Sequence, residues 1–292
     1  MIISCSRRTD IPAFYSKWLM NRIRQGFVVV PNPFNPKQVS RIGLGPDSVT
    51  AFVFWTRWAK PLMRYLPELD ERGYPYYFLY TLNNYPAVFE TNAPDTSKVI
   101  ENIRELSGRI GPGRVIWRYD PIFYTEEIDF DFHLKNFEYL SSELKGTTKK
   151  VIISIITFYS KTERRMLKTG AELIEYPVGD AKEQDFLREM SKAARRNEMK
   201  MEICSYPGDL SHIDIEASRC VDNRLLEREF GIQLPYKKDK GQRPDCTCHV
   251  SRDIGMNNTC IFGCRYCYAT MSQRSAKERY KRHDPDCDRL IR

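Results

Sequence analysis

The chain has 292 residues, of which 41% are hydrophobic and 29% charged, with a net charge of +8 at pH 7. That is long and apolar enough to bury a substantial core, and no apolar run approaches the roughly 20 residues that a membrane span needs. The basic excess is spread along the chain rather than gathered into a block, which allows an anionic ligand but does not favour a dedicated nucleic-acid binder.

Taken in order, short apolar stretches rich in β-branched and aromatic residues alternate with stretches of helical spacing. Strands are expected at 1–5, 49–55, 75–81, 114–120, 150–157 and 199–205, and helices at about 13–25, 60–72, 96–108, 130–144, 181–197 and 213–230. Three helices run into Gly26, Gly73 and Gly231, the residue type that closes a helix in the left-handed conformation. Six βα repeats predict an α/β fold with a parallel sheet. Of the two ways to arrange such a sheet, the expectation is a (βα)6 partial TIM-like barrel over residues 1–233. No GxGxxG follows a strand, so a dinucleotide-binding open sheet has no support.

Parallel βα folds place ligands at the C-terminal ends of their strands. There the chain offers Arg7, Arg8 and Asp10 after the first strand, Thr56 and Arg57 after the second, Thr81 and Asn83 after the third, and Arg118 and Asp120 after the fourth. Converging at one mouth, these suit an anionic substrate, because guanidinium groups pair with carboxylate or phosphate through two hydrogen bonds. The plainer expectation is that Arg7, Asp10, Arg118 and Asp120 only pair with one another to close the top of the sheet.

Nine cysteines in a chain expected to be cytoplasmic point to metal or redox chemistry rather than to disulfides. After a polar linker at 234–245, the segment to residue 292 is expected to form a cysteine-rich module. Cys260, Cys264 and Cys267 are spaced C-x3-C-x2-C, a spacing suited to wrapping one corner of a 4Fe-4S cube while leaving the fourth iron without a protein ligand. The same thiols could hold zinc, although structural zinc needs four ligands and only one C-x2-C pair is present. Cys204, Cys220, Cys246 and Cys248 form a further quartet able to hold a second cluster or a structural zinc, or simply to pack as small apolar residues. His249 is the nearest alternative ligand, and Cys5 and Cys287 are left over.

The phrase "NTCIFGCRYCYA" resembles the radical S-adenosylmethionine superfamily, and its spore photoproduct lyase branch in particular. With "SCSRRTDIPAFY", "FWTR", "YTLNNY" and "IWRYDPI", nearly the whole chain resembles an uncharacterised bacterial family, domain of unknown function 1848, which carries this motif near its C-terminus. The resemblance implies an open 4Fe-4S cluster on Cys260, Cys264 and Cys267, with Tyr266 and Tyr268 near the adenine of S-adenosylmethionine. It also implies a 5′-deoxyadenosyl radical acting on an unknown substrate, and a flavodoxin- or ferredoxin-type reductant as partner. Within that reading Arg7, Arg8 and Asn83 would help to hold the cofactor, and Asp10, Arg118 and Asp120 would serve the chemistry. Two departures stand out. Superfamily members carry the motif after their first strand, whereas here it follows all six βα units, and no Gly-Gly-Glu stretch is present to receive the methionine amino group. A non-catalytic iron-sulfur or zinc module, serving structure, electron transfer or nucleic-acid binding, is the alternative.

Overall fold

A computed structural model describes residues 1–35 and 37–292. In chain order its elements are β1 (Ile2–Cys5), α1 (Ile11–Phe14), α2 (Ser16–Gln25), β2 (Phe27–Pro31), β3 (Val39–Gly43), β4 (Ala51–Thr56), α3 (Lys60–Met63), α4 (Leu66–Glu71), β5 (Tyr76–Thr81), α5 (Thr96–Ile110), β6 (Val115–Ile122), α6 (Phe130–Glu143), β7 (Lys150–Ile155), α7 (Ser160–Leu167), α8 (Ala181–Arg196), β8 (Lys200–Ile203), β9 (Glu216–Ala217), α9 (Asn223–Phe230), β10 (Arg252–Asp253) and α10 (Gln273–Lys281).

Eight strands form one sheet in the order β10-β1-β4-β5-β6-β7-β8-β9, with every neighbouring pair parallel. The six expected strands all form, and they lie side by side in chain order. No reversal of strand order occurs, so the winding is single. The sheet is open, with β10 and β9 at its edges, so an α/β fold on a parallel sheet forms and a closed barrel does not. The antiparallel hairpin of β2 and β3 stands outside the main sheet and falls in a stretch where six βα repeats leave no room for it.

Single winding puts the crossover helices on one face. Phe52, Phe54, Phe78, Trp117 and Ile153 point to that face, where they pack with helix residues such as Trp18, Leu66, Ile103, Phe137 and Met190. Trp117 stacks on Phe137 at a centroid distance of 4.9 Å and donates its indole N–H to the Leu82 carbonyl at 2.9 Å. The alternate residues Val53, Trp55, Leu79, Ile116 and Ile152 face the other way and are covered by Leu225 and Leu226 of α9 and by Cys220, Cys246 and Cys248. Both faces of a parallel sheet are thereby buried, which is why the strands read as unbroken apolar runs.

Two expected helices differ from what forms. The helix at 60–72 is divided into α3 and α4, because Pro67 lacks an N–H and sits in the first turn of a new helix. The helix at 213–230 shrinks to α9, whose start is set by the Asp222 carboxylate accepting from the Arg224 N–H; the residues before it run extended and pair β9 with β8.

Beneath α9 the Lys150 ammonium contacts Glu202 at 2.6 Å and Asp222 at 3.3 Å, all three side chains nearly buried. Removing one member of such a group leaves charge buried without compensation. Lys150→Ala should therefore lower stability by about 3–5 kcal/mol, read from urea denaturation, whereas truncating the exposed Lys60 of the surface pair with Glu105 should cost about 1 kcal/mol or less.

Candidate metal centre

Seven of the nine cysteines line a single cavity of about 410 Å³ at the C-terminal ends of the strands. They arrive from two directions. Cys260, Cys264 and Cys267 sit on a loop clamped between α1 and the segment after β5. On the α1 side, Tyr15 Oη donates to the Thr259 carbonyl at 2.6 Å, and the Phe14 and Phe262 rings meet at 4.6 Å. On the other side, the Asn92 backbone N–H donates to the Phe262 carbonyl and its side chain to the Ile261 carbonyl, both at 2.9 Å. The loop turns at Gly263, where φ is +81° and a Cβ would meet Asn92 Nδ2 at 3.1 Å and Thr91 Cβ at 3.3 Å, so glycine is required.

Cys204, Cys220, Cys246 and Cys248 enter from the covered face of the sheet. The Cys204 N–H donates to the Ile153 carbonyl, Tyr77 Oη donates to the Cys220 carbonyl, and Thr247 Oγ1 donates to the Ser218 carbonyl. All nine cysteines are free. Among the described residues, no three His, Cys, Asp or Glu side chains are already gathered around one point for a metal ion.

The arginines named from the strand ends reach the same cavity. Arg57 lies against Glu90 at 2.6 Å, donates to Tyr266 Oη at 2.7 Å and approaches Cys264 Sγ at 3.8 Å. Tyr266 Oη also donates to Glu90 and accepts from Asn83 Nδ2 at 3.0 Å. Asn83 therefore stands behind the cavity wall, holding Tyr266 and accepting from the Asp120 N–H at 2.9 Å, rather than facing the space itself. Tyr268 stays exposed, with its hydroxyl donated to the Arg7 carbonyl at 3.0 Å.

Arg118 pairs with Asp120, whose other oxygen accepts from Ser154, and Arg8 pairs with Asp253 at 3.1 Å. The ion-pair expectation thus holds for Arg118 with Asp120. It does not exhaust the donors: Arg7 Nη2, Arg57 Nε, Arg118 Nε and Trp55 Nε1 are buried with no hydrogen-bond partner among the described residues. Trp55 lies between two guanidiniums, with Arg7 at 5.1 Å and Arg118 at 4.7 Å from its ring. Unpartnered buried donors around an open cavity call for acceptors, which thiolates, sulfide or an anionic ligand would supply.

Asp10 is spoken for on both oxygens. It accepts from the Ala13 N–H at 2.9 Å as the cap of α1, from Thr56 Oγ1 at 2.8 Å and from the Arg57 N–H at 2.6 Å. Burial nevertheless pushes its carboxyl up to about 7. Desolvation likewise raises the Cys260 thiol, and raises Cys264 to about 12 against the pull of Arg57. Cys248 is held low by hydrogen bonds from Cys220 and Cys246, with Arg7 adding to the effect.

Three contributors were not legible from the strand-end pattern. Glu90 lies in a loop with no motif, Asp253 belongs to a two-residue strand, and Arg165 of α7 donates from its guanidinium to the Thr270 and Cys267 carbonyls. Glu90, close after "YTLNNY", and Asp253, close after His249, both lay near segments already singled out, whereas Arg165 did not.

The Asp10 shift has a consequence for stability. A carboxyl whose folded-state value exceeds its unfolded one keeps a proton that the unfolded chain releases, so its contribution is full below the unfolded value and is lost as pH rises through the folded one. In the metal-free protein, stability should fall between pH 3.8 and about 7. Asp10→Asn should flatten that decline in pH-dependent urea denaturation, at the cost of a lower plateau because the Arg57 N–H loses its acceptor.

The family model described as Domain of unknown function (DUF1848) matches residues 2–269. No curated protein and no solved structure matches the chain.

Proposed function

The chain belongs to the DUF1848 family, and we propose that it is a radical S-adenosylmethionine-type iron-sulfur enzyme acting on an anionic substrate held at the sheet mouth. The observation that carries this reading is the placement of β10. The cysteine motif comes late in the chain, but β10 lies parallel to β1 and beside it, with Ile3 opposite Arg252 and Ser4 opposite Asp253. The loop leaving β10 therefore emerges at the same edge, next to the same strand, as a loop following the first strand of a singly wound sheet. Covalent order departs from that of the superfamily, and the placement of this loop beside β1, with six adjacent strands in chain order, supports the reading of a partial barrel left open.

The donor set fits an open cluster. Cys260, Cys264 and Cys267 all reach the cavity, the Thr270 N–H points at Cys267 Sγ at 3.4 Å, and Arg57 stands against Cys264, the kind of contact that tunes thiolate ligands. When bound, such a cluster would supply the electron that splits S-adenosylmethionine into methionine and a 5′-deoxyadenosyl radical. The protein's own part is positioning. Glu90 neutralises Arg57 and, with Asn83, fixes Tyr266 in the wall. Arg7 and Arg118, stacked on Trp55 with unpartnered N–H groups, would orient carboxylate or phosphate groups of the bound molecules.

Anaerobically reconstituted and reduced protein should release 5′-deoxyadenosine from S-adenosylmethionine, measured by chromatography, and replacement of Cys260, Cys264 and Cys267 by Ala should abolish it. Arg118→Ala should lower the yield roughly tenfold to a hundredfold, the value of a charge-assisted hydrogen bond, with the visible spectrum of the cluster unchanged. A loaded, reduced cluster that gives no 5′-deoxyadenosine would overturn the enzyme reading in favour of a metal module for structure or electron transfer.

A further inference from the structure

We infer that Cys204, Cys220, Cys246 and Cys248 form a second, four-thiolate metal centre that opens onto the same cavity as the triplet. The inference is independent of what the triplet does, because it rests on different residues from different segments.

The first support is contact. Cys220 Sγ lies 3.9 Å from Cys204 Sγ, and Cys220, Cys246 and Cys248 are buried in one cluster against which Cys204 packs. The four cysteines thus meet at one place, contributed by three separate stretches of backbone, and all four line the same cavity. A tetrahedral ion with metal–sulfur bonds of about 2.3 Å separates its sulfurs by about 3.8 Å, which is the separation the Cys204 and Cys220 pair already has. A bound ion would draw the other two sulfurs in to complete a tetrahedron, and a 4Fe-4S core would spread the same sulfurs further apart. The triplet sulfurs show no such direct contact, only mutual charge effects.

The second support is charge. Four thiolates around a dication carry a net charge of about −2, which is costly to bury unless it is compensated. The guanidiniums of Arg7 and Arg118 line the same cavity as the four cysteines. Each keeps a buried N–H without a partner. Arg118 already shares its charge with Asp120 and Arg7 lies 3.9 Å from Asp239, so what the two offer the thiolates is chiefly these open N–H donors, beside part of their positive charge.

The third support is the rigidity of the backbone that delivers the ligands. The His249 N–H donates to the Val221 carbonyl at 2.9 Å, and the Ser218 N–H to the Ile203 carbonyl at 2.8 Å. The strand ending at Ile203, the turn before α9 and the segment carrying Cys246 and Cys248 are therefore held together before any metal binds. Only side-chain rotation is left for the ion to order, so the centre would act as a clip on the covered face of the sheet.

The test uses the full chain with Cys260, Cys264 and Cys267 replaced by Ala, purified anaerobically and reconstituted in one arm with zinc and in another with iron and sulfide. The expected result is one centre per chain after desalting, retained against a weak chelator and lost when Cys204 and Cys248 are also replaced by Ser. Zinc, or iron without sulfide, identifies a single ion, and about four irons with about four sulfides identify a cluster. In case the multiple variant does not fold, Cys220→Ser in the otherwise native chain gives the same answer, as the loss of one centre's worth of metal. Folded triple variant, verified by circular dichroism and cooperative melting, that holds no metal in either arm overturns the inference. A one-centre protein that still releases 5′-deoxyadenosine would remove the second centre and leave the proposed activity standing.

Discussion

A parallel sheet has two apolar faces, and both must be covered. In this chain the crossover helices all take one face, so something else has to bury Val53, Leu79, Ile116 and Ile152 on the other. The cover is the stretch from Cys220 to Cys248, with Leu225 and Leu226 of α9 at its centre. It is held from below by Lys150, which bridges Glu202 and Asp222, and from within by Tyr77, which donates to the Cys220 carbonyl and accepts from the Asp222 N–H. The cover leaves the C-terminal ends of the strands open. That gap is the cavity, and covering the sheet is also what carries four cysteines to its rim.

The cavity concentrates groups that are expensive to bury alone. Seven thiols, several arginines and Asp120 share a space of about 410 Å³. Some of the cost is met internally, by Arg57 with Glu90 and Arg118 with Asp120. The rest is not, since Arg7, Arg57 and Arg118 each retain an unpartnered donor. A protein that only needed a stable sheet would do better with apolar residues of similar volume at these positions. Unbalanced donors beside raised thiols make sense when thiolates and an anionic ligand are both to be accommodated, because each then compensates the other.

What could be read from the sequence follows from how local the cause is. The six main strands were legible because burial on both faces makes each a run of apolar residues, visible without knowledge of its neighbours. Arg7, Arg118 and Asp120 were legible as strand-end residues once parallel winding was assumed. How far the sheet curves toward a barrel was not legible, because that depends on how the edge strands are met, and here β9 and β10 each add to an edge. The run 27–30 of β2 is itself a strand signal, but its partner β3 (VSRIG) follows a Pro- and Asn-rich stretch and is largely polar, and Pro67 hid a helix boundary inside a helical period. Glu90 and Asp253 escaped because their importance lies wholly in partners distant along the chain, Arg57 and Tyr266 for one, Ser6 and Arg8 for the other.

Asp253 shows how small a feature can place a site. The strand β10 has two residues, and in a strand a slip by one residue exchanges the faces. Such a slip would turn Asp253 away and bring Arg252, now exposed, toward Arg7 and Arg8. What fixes the register is the Asp253 carboxylate itself, which accepts from Ser4 Oγ, Ser6 Oγ, the Arg7 N–H, Arg8 Nε and the Gly255 N–H. Glycine at 255 is needed for that approach, since a Cβ there would lie 2.0 Å from Ser6 Oγ. One carboxylate thus sets the strand register, aligns the two arginines that follow β1, and determines where the chain stands when it begins the loop to Cys260. The position of the loop carrying Cys260, Cys264 and Cys267 is in this sense an electrostatic outcome at the edge of the sheet, and the cysteines need only follow at the right spacing.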